Sequence, residues 1–233
     1  MQLTPRLQAV ADMVPAQSIV ADIGTDHCYI PIYLHKQKIT SRLIATDNKP
    51  GPLAAARNTL ALFNLEKIID LRLGEGLAPL EPSDAVSTVI IAGMGGETIC
   101  SILASGRQLL TEHVYLIIQP MTNSQDVRVW LAENGFHFVQ EELVREEKHI
   151  YEIIGARFSG KQEDYELLQL AIGPLLVQQK HPLLTPLLQE KIGKLQKNIQ
   201  AASRADSYRA RKRVEELEQE LCRLERVLKW LSD

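Results

Sequence analysis

Acidic and glycine residues recur where predicted strands end, and they are the residues best able to hold a small ligand. The first apolar run leads into DIGTDH (22–27), the second ends in Asp47, and the third precedes GEG (74–76). The fourth leads into AGMGG (92–96), and a fifth ends in QP (119–120). Glycine lets backbone approach a ligand closely, and a carboxylate can accept both hydroxyls of a ribose. This recurrence predicts one shared ligand site.

The first of these turns distinguishes between classes of nucleotide ligand. It lacks the G-x-G-x-x-G pattern, because Thr25, Asp26 and His27 follow Gly24. Acidic side chains beside the turn repel a pyrophosphate but suit a sulfonium cation. The turn therefore favours S-adenosylmethionine over NAD and makes a NAD-dependent oxidoreductase a distant alternative.

Strand and helix patterns alternate over the first 157 residues, and they predict the frame that positions these turns. The run VSTVIIAG (86–93) is typical of a strand buried on both faces. Such alternation predicts a mainly parallel, doubly wound α/β sheet, whose ligands bind beyond the carboxyl ends of its strands. The predicted strands are 18–23, 42–47, 68–73, 86–93 and 112–120, the last stopped by Pro120, with an antiparallel hairpin over 136–158 at the sheet edge.

Residues 161–233 follow a different pattern. Apolar residues at heptad steps run from 188 to 202 and again from 214 to 231, with a polar break near 203–207. Two stripes of similar length predict an antiparallel coiled-coil hairpin. We therefore predict two domains, a cofactor-binding catalytic domain over residues 1–160 and a helical coiled-coil domain over 161–233.

Charge is unevenly distributed between these parts. The net charge is −3, and residues 1–160 hold 13 Lys and Arg against 18 Asp and Glu. The segment 180–213, in contrast, holds nine basic residues and two acidic ones. A local positive field steers a polyanion, although a solvated helix face is the plainer alternative. The residues predicted to contact RNA are Arg6, Lys197, Arg204, Arg209, Arg211, Lys212 and Arg213.

Several classes of protein are disfavoured by composition. No apolar stretch reaches the roughly 18 residues that a membrane span needs. The N-terminal segment carries charge where a secretory signal needs an apolar region. The three cysteines, Cys28, Cys100 and Cys222, lie far apart and indicate reduced thiols rather than disulfides or a zinc site. We expect a cytoplasmic protein without a metal or an obligate protein partner.

Three segments carry a more specific signal, namely DIGTDHCYIPI (22–32), IAGMGG (91–96) and LIIQP (116–120). Together with GPLAAARN and GEGL between them, they resemble the bacterial tRNA (adenine(22)-N(1))-methyltransferase family. The resemblance extends over roughly the whole chain, in order and spacing. It implies a Rossmann-like class I methyltransferase fold, S-adenosylmethionine as methyl donor, and N1 of an adenine in the D-arm region of a tRNA as target.

The resemblance also implies roles for individual residues. Asp22, Gly24 and Asp26 would frame the methionine part of the cofactor, and Asp47 would accept the ribose hydroxyls. Glu75 would lie by the adenine ring with Gly76. The residues predicted to bind the cofactor are Asp22, Gly24, Asp26, Asp47, Glu75, Gly76, Ala92, Gly93, Gly95 and Gln119.

The implied chemistry needs no strong general base, since adenine N1 already carries a lone pair. Alignment of the reacting atoms can lower a barrier by about 7–11 kcal/mol. The methylated base is cationic, so a carboxylate would stabilise the developing charge, and we assign this to Asp26 with His27 orienting it. Tyr29 and Met94 would stack on a flipped base. Packing remains the alternative for His27 and Tyr29, and a loop plug for Met94.

Two other functional classes remain open on the sequence. One is a methyltransferase that acts on another RNA or on a small-molecule amine. The other is a non-catalytic adaptor whose coiled coil binds a protein partner. The basic segment distinguishes weakly between the tRNA methyltransferase and a methyltransferase on another substrate. The coiled-coil stripe by itself indicates packing and not function.

Overall fold

One mixed sheet of seven strands forms the frame of this computed structural model, which describes residues 1–204 and 207–232. Its strand order is β3-β2-β1-β4-β5-β7-β6. The strands from β1 to β5 run parallel, while β7 is antiparallel to β5 and β6 is antiparallel to β7. The doubly wound sheet and its edge hairpin are thereby confirmed. The strands are β1 (Ser18–Ile23), β2 (Thr40–Asp47), β3 (Ile69–Leu73), β4 (Thr88–Gly95), β5 (Tyr115–Thr122), β6 (Phe136–Glu146) and β7 (His149–Phe158).

Helices in the first part of the chain precede, connect and cover these strands. The apolar runs of β4 and β5 place Ile90, Ile91, Ile117 and Ile118 in the core, all of them fully buried. Burial of each such side chain stabilises the fold by about 1.5–3 kcal/mol. The helices are α1 (Pro5–Asp12), α2 (Tyr29–Lys36), α3 (Pro50–Leu62), α4 (Gly96–Ser105) and α5 (Ser124–Glu133).

Two strands continue past their predicted ends. β5 runs through Pro120 to Thr122, and β4 runs to Gly95, with a register shift at Met94 where the two strands pair. The prediction that Pro120 ends the strand is therefore wrong. In the described sheet β7 pairs with β5 as far as Ile118, so the missing N–H of Pro120 removes no hydrogen bond on that side.

The chain divides into two compact units, Met1–Tyr165 and Glu166–Asp233, where the sequence pattern placed the division after residue 160. In the second unit α8 and α9 pack against each other as a helical hairpin. The heptad residues Leu188, Leu195, Leu217 and Leu224 are buried. The break predicted near 203–207 includes residues 205 and 206, which lie outside the described residues. The helices of this unit are α6 (Leu167–Ile172), α7 (Pro174–Gln178), α8 (Leu184–Ala202) and α9 (Tyr208–Ser232).

None of the helices in the described residues is both long enough and apolar enough to cross a membrane.

Candidate cofactor and target site

Two neighbouring cavities open at the carboxyl edge of the sheet, where the strand order reverses between β1 and β4. The Asp47 cavity has a volume of about 580 Å³, and the Asp22 cavity has a volume of about 420 Å³. Predicted site residues that line the Asp47 cavity are Gly24, Asp47, Glu75, Gly76 and Met94. Those that line the Asp22 cavity are Arg6, Asp22, Gly24, Asp26, His27, Tyr29, Ala92 and Gly93.

Gly24 lies at the junction of the two cavities and lines both. Its φ angle of +75° is in the left-handed region, and a Cβ added there would collide with the Cε methyl of Met94. The backbone N–H groups of Gly24 and Thr25 both donate to the carbonyl of Thr46, at 2.8 and 2.9 Å. The turn after β1 is thus held against the end of β2, in a left-handed backbone conformation that favours glycine.

Asp22 lies at the end of β1 inside its cavity, with 7 % of its surface exposed. Burial raises the pKa of this carboxyl group to about 6, and a hydrogen bond with Thr25 opposes part of that rise. The Thr25 hydroxyl also lies 3.6 Å from the Cys28 sulfur, whose own pKa burial raises to about 12. Asp22, Thr25 and Cys28 therefore form a polar chain at the floor of the cavity.

Arg6 reaches the same cavity from α1, far away in sequence. Its Nη1 atom donates to Oε1 of Gln119 at 2.7 Å, and its guanidinium lies 5.5 Å from the centre of the Tyr151 ring. The backbone N–H of Gly93 donates to the same Gln119 oxygen at 3.2 Å. The fully buried Gln119 thus joins α1 to the end of β4 from behind the cavity wall. The RNA contact of Arg6 stays a prediction, and its place in this wall adds a second possible role.

Asp26, His27 and Tyr29 form the outer rim of the Asp22 cavity. The Asp26 side chain is 74 % exposed, and its carboxylate lies 3.7 Å from Nε2 of His27. The His27 ring is stacked on Tyr29 with centroids 5.2 Å apart. Tyr29 is exposed, so the pair presents an aromatic surface to solvent rather than filling the core.

Asp47 anchors the second cavity at the end of β2. Its Oδ1 atom accepts the Lys49 N–H at 2.8 Å, and its carbonyl accepts the Gly74 N–H at 2.9 Å. These bonds fix the turns after β2 and β3 side by side. Glu75 lies in the second turn and is exposed.

Further cavity residues were missed by the sequence reasoning. The polar residues Glu97, Thr98 and Ser101 of α4 line the Asp47 cavity, and Thr4 and Leu7 beside Arg6 line the Asp22 cavity. The spacing of Glu97, Thr98 and Ser101 in the sequence could have identified them, since positions i, i+1 and i+4 lie on one face of a helix.

Of the described residues that we predicted to bind cofactor, Gly95 and Gln119 line neither cavity. Gly95 precedes α4 and pairs with Thr122 of β5. The next residue, Gly96, leaves no room for a side chain, because its Cβ would lie 2.5 Å from the Asn123 carbonyl oxygen. The two turns at the ends of β4 and β5 are therefore packed tightly together.

The predicted RNA-binding cations of the second unit are exposed near the end of α8 and in the first part of α9. Arg213 lies 3.2 Å from Glu216, which is one turn further along α9. Their contact with RNA stays a prediction. In the part of the chain that the structure describes, no group of three or more His, Cys, Asp or Glu residues is placed to hold a metal ion.

The two cavities suit a nucleoside that carries a dipolar amino-acid tail. The Asp22 cavity is lined by the carboxylates of Asp22 and Asp26 and by the guanidinium of Arg6. The charged residues that line the adjoining Asp47 cavity are Asp47, Glu75, Glu97 and Lys49. A phosphate would meet Asp22, Asp26 and Asp47 in these turns, which is electrostatically unfavourable. A Rossmann-like sheet with such a site defines the class of methyltransferases that use a nucleoside with an amino-acid tail as their cofactor.

Comparison with known proteins agrees with this class. A family model described as a methyltransferase domain matches residues 3–154. The chain is 29 % identical to the tRNA (adenine(22)-N(1))-methyltransferase of Bacillus subtilis over 98 % of both chains. The crystal structure of the B. subtilis m1A22 tRNA methyltransferase TrmK matches with a TM-score of 0.87 and 28 % identity, over 97 % of this chain and 99 % of that one. The structure of M. capricolum TrmK with S-adenosylhomocysteine matches with a TM-score of 0.82 and 25 % identity, over 98 % and 99 %. The chain belongs to the tRNA (adenine(22)-N(1))-methyltransferase family.

Proposed function

We propose that this chain transfers the methyl group of S-adenosylmethionine to N1 of adenine 22 in tRNA. The observation that carries the proposal is that Asp22 and Arg6 line one cavity while Asp47 lines the next. An amino-acid tail joined to a ribose needs this set of charges. The relatives that match along nearly the full chain include the m1A22 tRNA methyltransferase of B. subtilis.

Each part of the cofactor has a matching group on the chain. Asp22 would hold its ammonium group, and Arg6 would hold its carboxylate group. Asp47 would accept the ribose hydroxyls, and the turn of Glu75 and Gly76 would border the adenine. When bound, S-adenosylmethionine supplies a methyl group activated by a positively charged sulfur.

The rim of the Asp22 cavity receives the target base. The stacked rings of His27 and Tyr29 offer a flat surface on which an unpaired adenine can stack. The backbone of Ala92 and Gly93 offers peptide groups for the base edge, and Gln119 holds Gly93 in place. Asp26 stabilises the positive charge that forms on the ring when N1 is methylated. The chain's contribution to catalysis is therefore alignment, exclusion of water and one negative charge.

The second unit binds the tRNA body in this proposal. Its exposed basic residues supply a positive surface that the acidic first unit lacks. Action on tRNA also implies that the protein works in the cytoplasm, where we expect it to need neither a metal ion nor a membrane.

Mass spectrometry of nucleosides from tRNA incubated with the protein and S-adenosylmethionine tests the proposal. We expect 1-methyladenosine at position 22, and its loss when adenine 22 is replaced by guanine. Asp47→Ala is the matched inactive control, while Asp12→Ala on the exposed surface should stay active. A different methylated nucleoside would favour another RNA substrate. Absence of both methylation and cofactor binding would favour the non-catalytic adaptor.

A further inference from the structure

The side chain of Met94 lies against Gly24, the residue that the two cavities share, and we call this place the passage between them. Of the residues around the cavities, Gly24 is common to both, and the Cε methyl of Met94 lies directly against it. Met94 itself lines the Asp47 cavity, whereas Ala92 and Gly93 line the Asp22 cavity. A ligand that fills both cavities has to cross Gly24, so it meets the Met94 methyl on its way.

The surroundings of Met94 hold the backbone but leave its side chain able to turn. Gly93 is tied through its N–H to Gln119, and Gly96 is wedged against the Asn123 carbonyl. Met94 stands between Gly93 and Gly95 and is only partly buried. Its unbranched thioether has three rotatable bonds and adapts easily to a new environment. The side chain can therefore leave the passage by rotamer changes alone.

We propose that Met94 is a positioning residue that closes this passage in the free protein and turns away when cofactor binds. The proposal rests on the proposed binding of S-adenosylmethionine. If the closed form makes up about 90 % of the free protein, the apparent Kd is raised about tenfold.

Methionine-methyl NMR on the full chain measures this movement directly. The ¹³Cε chemical shift of a methionine reports the rotamer of its terminal torsion, and Met94→Leu assigns the Met94 signal. We expect the Met94 signal to move when S-adenosylhomocysteine saturates the protein, while the signal of the buried Met13 stays in place. Calorimetry on the same sample reports binding independently. Binding heat with an unmoved Met94 signal overturns this inference alone, whereas no binding heat overturns the proposed function as well.

Affinity measurements give a second test. We expect Met94→Ala to bind S-adenosylhomocysteine more tightly, by up to about tenfold, because no closed form competes with the ligand. Leu62→Ala, which shortens an exposed apolar side chain at the end of α3, should leave the affinity unchanged. Unchanged or weaker binding by Met94→Ala overturns the inference, since Met94 would then be a fixed wall of the site.

Discussion

The Nη1 atom of Arg6 lies 2.7 Å from the Oε1 atom of Gln119, across 113 positions of sequence. The same Gln119 oxygen accepts the Gly93 N–H, and the Gln119 amide nitrogen donates to the Pro120 carbonyl at 2.9 Å. One buried amide thereby fixes both Arg6 in the cavity wall that α1 provides and the backbone of Gly93 at the end of β4.

We predict that Gln119→Ala lowers both stability and cofactor affinity, because it leaves Arg6 and the Gly93 N–H without this acceptor. Loss of a buried hydrogen-bonding partner costs about 1–3 kcal/mol. Urea denaturation and calorimetry with S-adenosylmethionine measure the two effects. Gln119→Glu keeps an acceptor for Arg6 but loses the bond to Pro120, so it should recover part of the affinity. Parent-like affinity in Gln119→Ala would show that the amide only fills space.

The buried Asp22 should make the stability of the protein depend on pH. Its pKa is about 6 in the folded chain against 3.8 for an ordinary aspartate, so the folded state holds the proton more tightly. Stability must then fall as pH rises between those values, and at neutral pH the ionised carboxylate costs about 3 kcal/mol. We expect Asp22→Asn to raise the free energy of unfolding at neutral pH and to flatten this part of the profile. A lower stability of Asp22→Asn at neutral pH would contradict the prediction.

The same ionisation should govern cofactor binding. A cationic ammonium group pairs with the charged form of Asp22, so affinity for S-adenosylmethionine should increase as pH rises through about 6. One proton released on binding gives a change of up to about tenfold per pH unit. Calorimetry from acidic to neutral pH measures the slope, and Asp22→Asn should bind weakly with no such slope. If Asp22→Asn showed an equal slope, the pH dependence of cofactor affinity would arise from another titrating group.

Asp26 should matter for turnover and not for cofactor affinity. Its carboxylate is on the exposed rim, and charge on the base appears only as the methyl group is transferred. We predict that Asp26→Asn keeps the Kd for S-adenosylmethionine near that of the parent but lowers kcat on tRNA by at least about tenfold. Single-turnover kinetics with saturating tRNA measure this. An unchanged rate would remove Asp26 from the mechanism and leave alignment alone.

Arg128 should be essential for the fold. Its Nε atom lies 2.6 Å from Glu141 and its Nη1 atom 2.8 Å from Glu152, with all three residues buried. Arg128→Met leaves two carboxylates in the interior without this cation, at a cost of about 3–5 kcal/mol. Urea denaturation measures this loss in the free energy of unfolding. Adding Glu141→Gln and Glu152→Gln to the same variant should restore part of the stability. The exposed Arg213 and Glu216 pair is the control, since Arg213→Ala should cost no more than about 1 kcal/mol.

The second unit should be dispensable for cofactor binding but not for tRNA. A chain truncated after Tyr165 keeps the contact of that ring with Phe138 and ends at the boundary between the units. We expect it to fold and bind S-adenosylmethionine but to lose tRNA affinity and most methylation. Full methylation by the truncated chain would indicate that the second unit binds a protein instead.

A milder change in the second unit tests the same surface. The change affects the basic cluster at the start of α9, which consists of Arg209, Arg211, Lys212 and Arg213. Replacement of all four by Ala should weaken tRNA binding and reduce its salt dependence. Each lost phosphate contact lowers the slope of log K against log salt by about 0.7–0.9. An unchanged slope would place the tRNA contacts elsewhere.

Much of the frame and of the site could be predicted from local sequence. Apolar runs such as that of β4 predict buried strands, and their alternation with helices predicts a parallel sheet. Parallel strands bring their carboxyl ends to one edge, so Asp22, Asp47 and Glu75 could be grouped before any coordinates existed. Heptad spacing likewise predicted the pairing of α8 and α9, because both strand and helix patterns follow from the geometry of the chain itself.

Tertiary structure alone decided which of these residues face one another and how each is solvated. Asp22 and Asp26 are the same residue type four positions apart, yet one is buried with a raised pKa and the other is exposed at the rim. Arg6 was predicted from the sequence to contact RNA, and only the packing of α1 showed that its side chain lies against Gln119. The direction of the Met94 side chain could not be predicted from the sequence, because its rotamer depends on the space beside Gly24. The burial of a single polar side chain and a contact across 113 positions of sequence depend on tertiary packing, which these local patterns do not specify.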